Sequence, residues 1–254
     1  MKYWIAYLTI VSKEVRRFMR IWPQTILPPV ITTSLYFLIF GTLIGRRIGD
    51  MNGVPYMDYI VPGIVLMSVI NNAYANVVSS FYSTKFQRHI EELLVAPVPN
   101  WVILTGYVSG GAARGVIVGI VVALVARSFT DVTVMHYGVA IAVFLLTAVL
   151  FALGGLVNAI FANSFDDISI IPNFVMTPLV YLGGVFYTVD LLPEVWRKIS
   201  LANPILYMVN AFRYGLLGVS DIRVGTALVM IAGFVVVLAG FSLWLLHRGV
   251  GIKN

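Results

Sequence analysis

Residues 101–126 read WVILTGYVSGGAARGVIVGIVVALVA. The run holds one charged side chain, Arg114, and exceeds the roughly 20 apolar residues a helix needs to cross a bilayer. Within it Gly111, Gly115 and Gly119 recur every fourth residue, and Gly106 and Gly110 form another pair at the same spacing. Such steps place small residues on one helix face, where they let backbones approach closely inside a membrane. The stretch therefore predicts a membrane helix that packs against neighbours.

Five more apolar stretches surround it, at 24–44, 57–82, 136–162, 168–187 and 224–246. With 101–126 they predict six spans in an all-α polytopic membrane protein, a single transmembrane domain over 1–254. Composition agrees: 59% of the 254 residues are apolar and 11% charged, against about 25% charged in a soluble domain. The chain is not an ordinary water-soluble enzyme. It has no cysteine, which excludes disulfides, thiolate zinc sites and a cysteine nucleophile. The net charge of +6 could suit nucleic acid, but the cations flank apolar runs, as membrane anchoring places them. No nucleic-acid partner is expected. No signal peptide is read at the start either, because the first 20 residues lack a separate apolar core followed by a small-residue cleavage site.

Residues 1–22 predict an amphipathic helix lying at the membrane surface. Trp4, Leu8, Val11, Val15, Phe18 and Trp22 follow a helical step, and Lys13, Arg16, Arg17 and Arg20 fall away from that stripe. In 188–223, Glu194, Trp196, Arg197 and Lys198 predict a short interfacial helix after Pro193. Asn203 and Pro204 form a cap and first-turn pair opening a helix that Gly218 closes. At 1.5 Å per residue the helix 204–217 spans about 21 Å, too short for a ~30 Å hydrocarbon core. It is expected to enter and return, shielded by protein; a seventh full span is the competing reading.

With the N-terminus inside, nine Lys/Arg are cytoplasmic (Lys2, Lys13, Arg16, Arg17, Arg20, Lys85, Arg88, Arg248, Lys253) and seven are not (Arg46, Arg47, Arg127, Arg197, Lys198, Arg213, Arg223). The first span usually dominates, and the five cations before it outweigh the two after it. Both termini are expected in the cytoplasm. The segment 83–100, STKFQRHIEELLVAPVPN, is then a cytoplasmic loop. Thr84 and Gln87 have capping-box spacing, and Phe86, Ile90, Leu93 and Leu94 form an apolar stripe. Lys85, Arg88, Glu91 and Glu92 are left to meet a cytosolic partner, unless the helix merely hugs the membrane.

Chemistry is sparse. His89, His136 and His247 lie in a loop or at span ends, so an intramembrane hydrolase has no visible base. Asp166 and Asp167 sit in a polar turn, where a solvated turn or a partner contact is the reading and a metal site is not. No metal site is expected. No G-x-x-x-x-G-K-[ST] occurs, so this chain cannot cradle ATP in a P-loop. Arg114 lies near mid-depth, where a charge should face protein or water. Asn71, Asn72 and Asn76 on the second span, or Asn158 on the fourth, could supply it with oxygens. Arg114 then either lines a route for an anionic substrate or serves as a structural hydrogen-bond hub. The spans lack the carboxylates of ion-coupled carriers, with Asp58 at a span end, so energy for transport must come from another polypeptide. A stand-alone channel or secondary transporter is the alternative.

Three segments then resemble the ABC-2 type transport permeases of bacteria: KFQRHIEELLVAPVP at 85–99, SFDDISIIPNF at 164–174, and PLVYLGGVFYTVDLLPEVWRKISLANPILYMVNAFRYG at 178–215. The likeness covers essentially the whole chain. It implies the type V exporter architecture, with an interfacial N-terminal helix, six spans and re-entrant helices between spans five and six. It implies a bacterial inner-membrane exporter of a lipid-linked, glycan or hydrophobic substrate, with two copies of this chain and two copies of a separate ATP-binding subunit. No cofactor is implied on this chain, since ATP and magnesium would sit on the partner. The 83–100 helix would be the coupling helix, touching the ATPase through Lys85, Arg88, Glu91 and Glu92, with Asp166 and Asp167 nearby as a second contact. The pathway would form between the two copies among membrane lipid, with Arg114, Asn72 and Asn76 along it. Tyr181, Phe186, Tyr187, Trp196 and Tyr207 would stand toward its outer end, as gate or as interfacial belt.

Overall fold

A computed structural model describes residues 2–95 and 97–251; the side chains of Arg46, Glu91 and Leu94, and residue Lys253 counted among the cations, lie outside that description. Helix α1 (Lys2–Arg20) turns at Ile21 into α2 (Trp22–Tyr36), whose ladder continues through a π-helical stretch, Phe37–Ile44, into a last turn, α3 (Gly45–Ile48). A two-residue hairpin follows, β1 (Asp50–Met51) against β2 (Val54–Pro55), with Asp50 opposite Pro55. Its loop is Asn52-Gly53 with φ of 52° and 77°, the pair that tight hairpin turns favour.

The central strut is α4 (Tyr56–Phe86), buried along most of its length. A helix apolar nearly all round belongs inside a bundle. Two further helices flank it, α6 (Asn100–Ala126) and α7 (Tyr137–Phe161), while the short α5 (His89–Val95) joins α4 to α6. The glycines of α6 work on two faces. A Cβ on Gly115 would lie 2.8 Å from the Ala73 Cβ of α4, and one on Gly111 would meet Val77. On the other face a Cβ on Gly106 would come within 2.6 Å of Ile10 of α1, and one on Gly110 would strike Glu14. The predicted stripe is thus two seams, one toward α4 and one toward α1.

Five of the six expected spans match helices to within about four residues at each end. The fifth in chain order does not. Residues 168–187 hold a helix only from α8 (Asp167–Ile170) through a π-helical turn, Ile171–Met176, to α9 (Thr177–Tyr181). That is about 22 Å of helix at 1.5 Å per residue. Beyond Tyr181 the chain leaves the helix, with Gly184 at φ 69°. Among the described residues five helices are long and apolar enough to cross a membrane: Trp22–Ile44, Tyr56–Phe86, Asn100–Ala126, Tyr137–Phe161 and Val224–Arg248.

After a 3-10 turn, Val189–Leu191, come α10 (Glu194–Leu201) and α11 (Pro204–Leu217). Both ends of α11 fall where the sequence places them. The Asn203 side chain accepts from the Ile205 amide at 3.0 Å, and Gly218 closes the helix at φ 74°. Asn203 also donates to the Leu179 carbonyl at 2.6 Å, pinning the α10–α11 corner to α9. The first turn of α11 shares a cavity wall with Leu150 and Gly154, in the middle of α7. Its last turn accepts from the amides of Met135 and His136, where α7 begins. The helix therefore starts beside the middle of α7 and emerges at one end of it. The last helix, α12 (Val224–Arg248), packs against α7 and α11 with most of its apolar surface outward.

One local expectation fails, and one helix buries a face the sequence did not single out. Thr84 does not cap a new helix: α4 runs past it to Phe86, and its hydroxyl donates back to the Ser80 carbonyl at 2.9 Å. In α1 the buried stripe is Ile10, Glu14 and Phe18, while Trp4 and Trp22 are 63% and 51% exposed. Close glycine packing selected a polar seam of α1 and left its aromatic edge outward.

Candidate functional site

The polar seam lies where α1, α4 and α6 meet. Along one face of α4, Asn72 and Asn76 stand one helical turn apart. The Asn72 Oδ1 accepts from Arg114 Nη2 at 3.2 Å, and the Asn76 Oδ1 accepts from Arg17 Nη2 at 2.9 Å. Arg17 Nη2 also donates to the Asn76 carbonyl at 2.8 Å. One turn further, Ser80 donates to Glu14 Oε1 at 2.6 Å, and Glu14 Oε2 lies 3.4 Å from Arg17. Glu14 and Asn76 are fully buried. The predicted set Arg114, Asn72 and Asn76 is thus brought together. Glu14 and Arg17 join it; the sequence puts Arg17 away from the apolar stripe of α1, and Glu14 has no role in that reading. The signal was Glu14 at four residues from both Ile10 and Phe18, the only acid in the helix.

At the far end of α4 sits the helical loop. Arg88 adopts φ 61°, a left-handed residue that breaks α4 from α5. Ile90 is buried and anchors α5, while Arg88 and Glu92 are exposed. Glu91 lies on α5, with its side chain outside the described residues. Lys85 faces inward: its Nζ donates to the carbonyls of Ile160 at 2.8 Å and Ala162 at 2.7 Å, closing the C-terminus of α7. The turn at 163–167 packs on the same end. Phe165 meets Tyr82 edge-on at 4.9 Å and Phe86 at 5.2 Å between ring centroids. Within that turn Ser164 and Asp167 form a reciprocal capping box: Asp167 Oδ2 accepts from the Asn163 and Ser164 amides, and Ser164 Oγ from the Asp167 amide. The Asn163 amide foremost, and then the Ser164 side chain, hold the Asp167 carboxyl below its ordinary range. Asp166 is exposed beside it.

Of the five aromatics, two are brought together. Tyr181 shares a hydroxyl–hydroxyl bond of 3.1 Å with Tyr36, and Phe186 stacks on Phe40 at 4.8 Å. Tyr187 accepts through its carbonyl from the Tyr59 hydroxyl at 3.4 Å. Trp196 is half-exposed on α10, and Tyr207 donates to the Leu201 carbonyl at 2.9 Å, outside that stack. Arg213 is wholly buried beneath them. It donates to the Gly184 carbonyl at 2.6 Å and lies 3.8 Å above the Tyr59 ring.

The described residues thus form a bundle of apolar helices, long enough to cross a membrane, with a charged loop and a capped turn at one end. The profile of the ABC-2 type transporter family matches residues 5–217, and the chain belongs to that family. The inner membrane transport permease YadH of Escherichia coli K12 is 54% identical over 252 residues, covering 99% of this chain and 98% of that protein. Nodulation protein J of Sinorhizobium fredii is 25% identical over 186 residues, covering 73% and 70%. That of Rhizobium meliloti is 24% identical over 217 residues, covering 84% and 82%. This is a membrane transport permease, a non-catalytic subunit of a kind whose family implies pairing with an ATP-binding subunit.

Proposed function

We propose that this chain is the permease of an ATP-driven exporter in the bacterial inner membrane, moving a lipid-linked, glycan or hydrophobic substrate. Two copies pair with two copies of an ATP-binding subunit, which holds the ATP and magnesium. The observation that carries this reading is the joint placement of α5 and the 163–167 turn at the end of the buried strut α4. Arg88, Glu91, Glu92 and Asp166 offer the ATPase a contact, with Asp167 holding the turn. Lys85 fastens the end of α7 behind them, so a push on the loop reaches α4 and α7 together.

In this reading both termini are cytoplasmic and α1 lies at the interface. The remaining crossing combines the helix ending at Tyr181 with residues 182–188, which continue through turns and bends rather than helix. Non-helical backbone at membrane depth needs protein cover, and residues 183–185 are buried, with the Gly184 carbonyl satisfied by Arg213. Helices α10 and α11 form the re-entrant pair. Arg114, Asn72 and Asn76 border the pathway, and Tyr181, Phe186, Tyr187, Trp196 and Tyr207 frame its outer end.

The test is co-purification with a candidate ATP-binding subunit and assay of ATP hydrolysis by the complex. Glu91→Lys and Glu92→Lys should each reduce co-elution and permease-dependent hydrolysis at least fivefold. Uphill transport by vesicles containing this chain alone would overturn the reading.

A further inference from the structure

The seam of α1, α4 and α6 holds more donors than it satisfies. Two guanidiniums, Arg17 and Arg114, bond to asparagines one turn apart, and one carboxylate, Glu14, faces them. The cluster therefore carries a net charge of +1. Glu14 is already engaged by Ser80 at 2.6 Å and by Arg17. Arg17 Nε, Arg114 Nε and the fully buried Asn76 Nδ2 have no hydrogen-bond partner among the described residues. Like charges in a medium poorer than water repel strongly, and buried donors without acceptors destabilise the fold.

We propose that Arg17 and Arg114, with the Asn76 amide, form a binding site for a phosphate oxyanion. Guanidinium groups present paired N–H donors matched to two oxygens of one phosphate. Three orphan donors on three side chains, two of them cationic, suit a tetrahedral oxyanion whose oxygens point in several directions at once. Arg17 is a third exposed, giving an approach past α1. That helix turns its apolar edge outward at Trp4 and Leu8, where a bilayer would bring lipid headgroups alongside. The phosphate belongs either to a lipid headgroup or to a free ion. The site shares Arg114, Asn72 and Asn76 with the proposed pathway, but it is read by binding. An Arg114 variant that loses binding but keeps transport would remove the pathway and spare the site.

The experiment uses the full chain purified in neutral detergent and follows its melting temperature with added phosphatidylglycerol, phosphatidylcholine or inorganic phosphate. Phosphatidylglycerol should raise the melting temperature more than phosphatidylcholine, whose identical phosphate is partly neutralised by its own choline cation. Arg114→Gln should weaken that response at least tenfold, and Arg16→Gln, on the exposed side of α1, should leave it unchanged. A response to inorganic phosphate alone, with the same dependence on Arg114, assigns the site to the free ion. Where Arg114→Gln fails to fold, Arg17→Gln at the open edge carries the same test. The proposal is overturned if neither probe acts through Arg17 or Arg114, or if Arg16→Gln loses the response as fully as they do.

Discussion

Arg213 and Arg114 are both arginines held among apolar helices without a carboxylate in contact, and they are satisfied to opposite degrees. Arg213 is wholly enclosed, with donors on the Gly184 carbonyl, the Tyr59 carbonyl and the Asn210 Oδ1, and its plane on the Tyr59 ring. It fixes a stretch where the chain has left the helix and bare carbonyls would otherwise face an apolar surround. Among the described residues Arg114 has one protein acceptor, Asn72, and an unpartnered Nε. A saturated cation is a structural bolt, whereas an unsaturated one retains capacity for something that arrives later.

The sharpest way to break this comparison is to remove both side chains. Arg213→Leu should strand the Gly184 carbonyl, at about 1–3 kcal/mol for a buried group left unpaired, and strip the cation from the Tyr59 ring, so that little folded protein accumulates. Size-exclusion profile and yield in detergent read it out; a monodisperse, fully stable variant would erase the distinction. Glu14→Ala should come next. It leaves Arg17 facing Arg114 uncompensated and should lower stability by about 1.5–3 kcal/mol, measured by thermal melting, with partial recovery when Arg17→Gln is added. Arg114→Leu loses one bond to Asn72 but also removes an unpartnered buried donor, so the two offset to a cost of no more than about 1 kcal/mol and a well-behaved protein that transports poorly. Loss of expression instead would place it with Arg213.

The smallest effect belongs to a third kind of charge, Asp167, half-buried at the surface and satisfied by local amides. Its carboxyl titrates lower in the fold than in the unfolded chain, so its stabilisation is present above the ordinary carboxylate range and lost as pH falls below about 4. Asp167→Asn should flatten the acid side of the melting-temperature profile slightly and leave neutral pH nearly unchanged.

What the sequence made legible follows the same division. Long apolar runs declare themselves, so α4, α6, α7 and α12 were readable to within a few residues, as was α11 from Asn203, Pro204 and Gly218. The fifth stretch misled because apolarity says nothing about winding: Pro172, Pro178 and Gly184 interrupt a segment that hydropathy treats as uniform. Asn52-Gly53 was a readable hairpin signal, hidden by strands of only two residues. Of the site, Arg114 and its asparagines were visible because a charge in an apolar run is conspicuous. Glu14 was not, because an acid on an amphipathic helix looks solvated until a glycine-lined neighbour presses against it.

The two glycine seams of α6 carry a mechanical implication. Gripped by α1 on one side and α4 on the other, with backbones too close to slide past a single added methyl, that helix has no room to spin or to slip by a turn. Displacement applied near Pro99 must travel its whole length as a translation of the trio, like a shaft keyed in two slots. Any hinging is left to parts with looser surroundings, and α12, mostly uncovered by its own chain, is the freest of them.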